Sequence, residues 1–212
     1  MPLCLCVEKI FNLMNSFKIQ FLILLTILSC ITSEISAATI PGIYSTGLND
    51  NFNLLADGET DSHYSLIESS DKHFSGPKTK VVNSNVYPMN VWFPNNNTSK
   101  WIAPRADAGL ANEHGVYVYR ITFDLSKFKS KTAVVYGLWT SDDKGIDILI
   151  NGQKSGNFTP LASFYAMFSF VINSGFSDGI NTIDFVIHNV VSSSGLRVEI
   201  KGEADLKEYV LR

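Results

Sequence analysis

The sequence predicts an all-β fold, an antiparallel two-sheet sandwich of the jelly-roll kind, and three observations carry that prediction. Apolar and polar residues alternate in several runs, the period-two signature of a strand with one buried face. Clusters of Gly, Asn, Ser and Asp separate these runs, and Asn151-Gly152 supplies the positive φ angles that a tight hairpin turn demands. Past the N-terminal leader no segment carries capped helical periodicity; the polar end "EADLKEYVLR", with residues 205–212 as a tail, reads as a frayed terminus.

Along the 212-residue chain the first segment is a leader, not fold. "MNSFKIQFLILLTILSCITSEISAA" has Lys18, an apolar run from Phe21 to Leu28, then small residues, which is the order of a secretory signal peptide. The pattern begins at Met14, and cleavage after Ala38 places Ser36 and Ala38 at the small-residue positions, so residues 1–38 form the signal and the mature chain starts at Thr39. A second reading remains open, because "ILSC" ends in Cys30 and a lipidated Cys30 would tether the domain to a membrane. The apolar run is short of the roughly 20 residues that span a bilayer core. Cys4, Cys6 and Cys30 all lie in the leader, so a mature chain cut after Ala38 has neither disulfides nor thiolate metal sites.

Residues 39–204 then form one sandwich domain. Losing Glu8, Lys9, Lys18 and Glu34 with the leader keeps the net charge at −3, and no basic face is present to select nucleic acid. "LNDNFNLLADGETDSHY" gathers oxygen donors at Asp50, Asp57, Glu59 and Asp61 ahead of His63 and Tyr64. A hard cation such as calcium takes carboxylate and carbonyl oxygens, which makes Asp57 and Asp61 candidate ligands of a structural calcium. The spacing is not that of an EF-hand loop, and a solvated turn stabilised by its own side chains is the competing reading.

"SNVYPMNVWFPNNNTSKWIAPRAD" comes next, with Trp92, Trp101, Pro104, Arg105 and Asp107 in a Pro- and Asn-rich passage. A tryptophan face stacks on the C–H face of a pyranose while Arg and Asp bond its hydroxyls, the mix of apolar surface and placed polar groups found in ligand sites. Two roles are open: Trp101 stacks on a ligand or closes the core edge with Ile102, and Arg105 meets a ligand or makes a structural ion pair.

The strands follow. In "VYVYRITFDL" Tyr117, Tyr119, Ile121, Phe123 and Leu125 share one face; "TAVVYGLWT" and "FYAMFSFVI" are more continuously apolar, as strands covered on both faces are. "GIDILING" sets Ile146, Ile148 and Ile150 opposite Asp147 and Leu149, and "NTIDFVIHNV" and "GLRVEIKG" alternate through Ile183, Phe185, Ile187 and through Leu196, Val198, Ile200. Between these last two runs, Asn189 and Arg197 flank a Ser-Gly turn, where they either share the concavity of Trp101 or leave Arg197 on a solvated strand face.

Catalytic motifs are missing. His63, His73, His114 and His188 have no zinc spacing, and neither H-E-x-x-H nor G-x-S-x-G occurs. A glycosidase needs two carboxylates across one bond, and Asp184 with Glu199 is a pair that only tertiary structure can bring together. Sequons at Asn96, Asn97 and Asn157 are read as loop polarity.

Taken together, "IYSTGLNDNFNLLADGETDSHYSL", "VVNSNVYPMNVWFPNNNTSKWIAPRAD", "YRITFDL", "DILINGQKSG" and "GINTIDFVIHNVVSSSGLRVEIKG" resemble an exported bacterial domain of the galactose-binding-like jelly-roll class. Domains of that class occur in envelope and PEP-CTERM-type proteins, with a fold akin to the N-terminal jelly roll of β-galactosidase-type glycoside hydrolases. The resemblance spans residues 42–202, and it implies a carbohydrate-binding, accessory or adhesive module. A departure follows Gly202, where no Pro-Glu-Pro motif, apolar helix and basic end appear. The expectation is a non-catalytic module, secreted or resident in the periplasm or cell envelope, binding carbohydrate or another cell-surface ligand through Trp101, Arg105, Asp107, Asn189 and Arg197. It needs no cofactor beyond the possible calcium and meets a membrane only if Cys30 is lipidated. A structural or adhesive module that binds protein, and a small glycoside hydrolase, are the alternatives.

Overall fold

The computed structural model describes residues 37–110, 112–190 and 192–208. The leader up to position 36, including Met14 and Cys30, and the tail from position 209 lie outside the described residues.

The strands are β1 (Ala38–Thr39), β2 (Thr60–Ser69), β3 (Lys78–Val81), β4 (Ile102–Ala103), β5 (Gly115–Asp124), β6 (Val134–Asp142), β7 (Lys144–Ile150), β8 (Gln153–Lys154), β9 (Phe168–Ile172), β10 (Ile180–Asn189) and β11 (Gly195–Ala204). Pairing among them is antiparallel, and ladder hydrogen bonds run in the order β8-β7-β10-β5-β2-β3-β4-β11-β6-β9. Short β3 and β4 carry this path from one layer to the other, so the protein is an all-β antiparallel sandwich. The free edge of β11 is shared by β4 at Leu196 and by β1 at Glu203 and Ala204.

The inward faces are those that alternation predicts for β5, β10 and β11. Tyr117, Tyr119, Ile121 and Phe123 meet Ile183, Phe185 and Ile187 in one layer, and Leu196, Val198 and Ile200 face them from the other. Trp139 of β6 lies 5.7 Å from Phe185 of β10, and Phe170 of β9 lies 6.0 Å from the same ring, so aromatic pairs close the gap between layers.

In three places the elements differ from expectation. Along β7, Ile146 is exposed while Asp147 is buried, because a register shift opposite Val186 and Ile187 inserts an extra residue and reverses the alternation. The "FYAMFSFVI" run yields only β9, its first part forming a 3₁₀ turn at Ser163–Tyr165. And the oxygen-rich segment before Tyr64, read as a turn or ion loop, enters β2, where bulges after Asp61 and Leu66 mask the period-two pattern. At the C-terminus, residues 205–208 are not helical; Leu206 bridges to Phe128.

Candidate functional site

The passage between β3 and β5 packs on the outer face of β11 and β6, and this decides the fate of the residues selected from sequence. Trp92 and Trp101 pack with ring centroids 4.2 Å apart and planes tilted by 33° and, with Val82, Ala103 and Ala108, form a second apolar cluster. Trp101 is fully buried; its Nε1 donates to the carbonyl of Phe93 at 2.9 Å, and its backbone N–H donates to Asn95 Oδ1 at 3.0 Å. Trp92 Nε1 donates to Asp142 Oδ2 at 2.8 Å, and Gly195 leaves the space its six-membered ring fills, since a Cβ there would sit 2.7 Å from Cη2. Trp101 therefore closes the core edge and has no face for a ligand.

Arg197 is a correction to both roles open to it. It lies on the outer face of β11, as alternation requires, yet that face is covered and Arg197 is fully buried. Its Nε donates to Ser99 Oγ at 2.7 Å, Nη1 to the carbonyl of Pro94, and Nη2 to Glu199 Oε1 at 3.0 Å. Glu199 also accepts from Asn96 Nδ2 at 2.7 Å and Ser99 Oγ at 3.1 Å. Burial pulls the guanidinium below its ordinary value, while the Glu199 charge opposes that fall. So Arg197 and Trp101 do lie together, but both fasten the 93–101 loop from inside. Asn189 is likewise buried, with Nδ2 donating to the carbonyls of Glu113 at 3.1 Å and Asn112 at 3.3 Å, so it ties the end of β10 to the entry of β5.

Arg105 and Asp107 stay at the surface. They form a two-bond fork, Nε to Oδ1 at 2.6 Å and Nη2 to Oδ2 at 2.9 Å, and the Arg105 guanidinium lies 4.5 Å above the ring of Phe74. Hydrogen bonding to Asp107 raises Arg105 above its ordinary value, and the same bond holds Asp107 below the usual carboxylate range. On one side of the fork, residues 73–78, Lys80 and residues 104–107 surround a hollow of about 580 Å³. On the other, Asn83, Val86, Tyr87, Gly109 and Leu110 line a hollow of about 410 Å³ that also reaches Asp107. Tyr87 is 54 % exposed and Leu110 54 % exposed. Gly109 makes this wall possible, because a Cβ would stand 2.2 Å from the Tyr87 carbonyl oxygen.

Phe74, Tyr87 and Leu110 were not selected from sequence. Tyr87-Pro88 and "DKHFSGP" each place an aromatic ring in a Pro-marked loop outside any alternating run, and that is the signal which points to them.

The proposed calcium ligands do not converge. Asp57 accepts from Ser84 N at 2.7 Å, Ser84 Oγ at 2.9 Å and Lys100 Nζ at 3.1 Å, whereas Asp61 is buried and accepts from Gly47 N at 2.7 Å and His63 N at 3.0 Å. Protein donors already occupy these oxygens, and among the described residues no group of three or more His, Cys, Asp or Glu is placed to hold a metal ion. Nor do Asp184 and Glu199 face one bond: Asp184 is buried and forked to Arg120 at 2.6 and 2.7 Å in one layer, and Glu199 is bound to Arg197 in the other.

Fold and surface together define a class, an all-β sandwich with a charged and aromatic loop surface of the size that ligand sites have. No family model matches the chain, and no curated protein matches it. Among solved structures, the chain is similar to a structure described as CBM35 from Paenibacillus barcinonensis, at 15 % identity over 66 % of this chain and 98 % of that one. The TM-score is 0.35, a level at which the likeness carries no argument about this chain.

Proposed function

We propose that the protein is an exported, non-catalytic carbohydrate-binding module whose ligand lies across the Arg105–Asp107 fork. The observation that carries this reading is the half-buried fork between two hollows, with the Tyr87 ring open to solvent beside it. Phe74 holds the guanidinium flat from below, so Arg105 presents N–H donors at a set height. Asp107 presents acceptors next to them, and vicinal sugar hydroxyls match such a donor–acceptor pair. Tyr87 supplies the apolar platform for a ring's C–H face. The leader pattern supports export.

A glycan array of the purified protein tests this reading. Saturable binding to one glycan class is expected, weakened at least tenfold by Tyr87→Ala and by Arg105→Ala, with unchanged far-ultraviolet circular dichroism. Binding that survives both substitutions would refute the assignment of this surface. An adhesive module that binds protein is the second reading, favoured by the apolar exposure of Val86, Tyr87 and Leu110 side by side. A blank array with association of the purified protein into dimers would shift the assignment to it.

A further inference from the structure

The loop between Leu48 and Leu54 carries an exposed aromatic ring on a backbone that does not favour one. Leu48 and Leu54 bridge, Asn49 N donates to the Asn53 carbonyl at 2.9 Å, and Asn49 Oδ1 accepts from the N–H groups of Asn51 and Asn53 at 3.0 Å each. At the tip of this closed loop Phe52 has φ +59°, the left-handed region where Gly or Asn is the usual occupant. Its side chain is 64 % exposed, so core burial does not offset that backbone conformation.

The ring is nonetheless held in one orientation. Phe52 stacks on Tyr44 with centroids 4.8 Å apart and planes 26° apart, and Tyr44 stacks in turn on His63 at 3.6 Å and 16°. His63 is clamped by the Leu48 carbonyl at Nδ1 and by Asp50 Oδ1 at Nε2, both at 3.0 Å. A three-ring pile rooted in hydrogen bonds therefore turns the outer face of Phe52 to solvent. Beside it lies a hollow of about 480 Å³ lined by residues 39–45, Phe52 and residues 200–203, Glu203 Oε1 accepting from Tyr136 Oη at 2.7 Å. A fixed aromatic face next to a hollow with polar groups among its lining is an arrangement that seats a sugar ring.

This groove is separate from the Arg105 surface. Leu196 pairs with Ile102 near that surface, and Gly202 lies six positions further along β11, about 20 Å at a rise of about 3.3 Å per residue.

We infer that Phe52 and the groove beside it form a second carbohydrate subsite, which stacks one pyranose of a β-1,4-linked chain on the ring. In β-1,4-xylan and β-1,4-glucan the linkages are equatorial and each ring presents a flat C–H face, and in β-1,4-galactan, whose C4 linkage is axial, one face of each ring still does; such a face suits a single exposed phenyl ring. The class of ligand rests on the reading given under Proposed function; the site does not. With both surfaces active, one chain binds two glycan segments.

Isothermal titration of the purified full-length protein with xylohexaose, cellohexaose and β-1,4-galactohexaose tests this. The expected result is two binding events per chain with at least one of these sugars. Phe52→Gly, which suits the left-handed backbone and leaves the core untouched, removes one event or weakens it at least tenfold, and Phe52→Trp retains it. The double variant Tyr87→Ala with Arg105→Ala removes the other. Unchanged stoichiometry and affinity in Phe52→Gly would overturn the inference and leave the Arg105 surface standing. Loss in Phe52→Gly with no effect of the double variant would uphold this subsite and overturn the first. Absence of heat with all three hexaoses, from protein shown to be folded, would overturn the second subsite as stated, and the array result would still decide the first.

Discussion

Asp142 sits under Trp92, accepting a hydrogen bond from its indole N–H at Oδ2 with only 5 % of the residue exposed, while Asp143 follows it in the chain. Burial, reinforced by the hydrogen bond and negative charge of Asp143, pushes its carboxyl up to about 8 against the bond from Trp92, which acts the other way. In the unfolded chain an aspartate ionises near pH 4. Between about pH 4 and about pH 8 folding therefore takes up a proton at this residue, stability falls as pH rises, and above about pH 8 the loss is complete. Asp142→Asn keeps an oxygen acceptor for Trp92 and removes the charge. Its melting temperature should match the parent near pH 4 and exceed it increasingly toward pH 8; a constant difference across that range would show that Asp142 is ionised in the fold. The residue scale also shows where side-chain chemistry was readable: half-buried Arg105 makes with Asp107 the ion pair that was one of its two open roles, and Trp101 is the core-closing ring that its large area equally allows.

Among elements, the 93–101 loop is the one whose position most affects the site. It lies over the outer face of β11, and Arg197 reaches out of that strand to bind Ser99 and the Pro94 carbonyl while pairing with Glu199. Replacing Arg197 by Met leaves Glu199 with no cation and two loop oxygens with no donor, a loss of about 3 kcal/mol by the usual cost of breaking a buried pair. Urea unfolding should show this as a lower midpoint, and the loop should become a protease-sensitive segment; an unchanged midpoint would mean the loop is held by Trp92 and Trp101 alone. Alternation located Arg197 correctly on the face opposite Leu196 and Val198. It could not show that a loop almost a hundred residues earlier in the chain covers that face, because strand periodicity reports only a strand's own two sides.

Over the whole molecule, the expected cleavage point after Ala38 falls within β1. Cleavage after Ala38 would keep the pairing of Thr39 with Glu203 and the bond from Ile40 N to the Gly202 carbonyl at 2.9 Å and, among the described residues, would remove the Ala38 partner of Ala204 and its packing on the core. N-terminal sequencing of exported protein should begin at Thr39; a chain that begins at Met1 or Met14 would reject the signal, and a blocked, lipid-modified Cys30 would establish the tethered form instead.

What the sequence determined by itself was the class of fold and most of its core. Period-two alternation is a local property, and it identified β5, β10 and β11 with their buried faces because each strand needs one side out of water. Bulges limited it: in β7 alternation placed Ile148 and Ile150 correctly inside but Ile146 on the wrong face, and bulged β2 was not read as a strand, because one added residue swaps the faces and nothing in composition marks the swap. Tertiary structure alone decided which polar and aromatic groups meet solvent. Trp101, Asn189 and Arg197 share with Arg105 and Asp107 the composition of a ligand loop, yet burial depends on what packs across from a residue, and those partners come from segments far away in the chain.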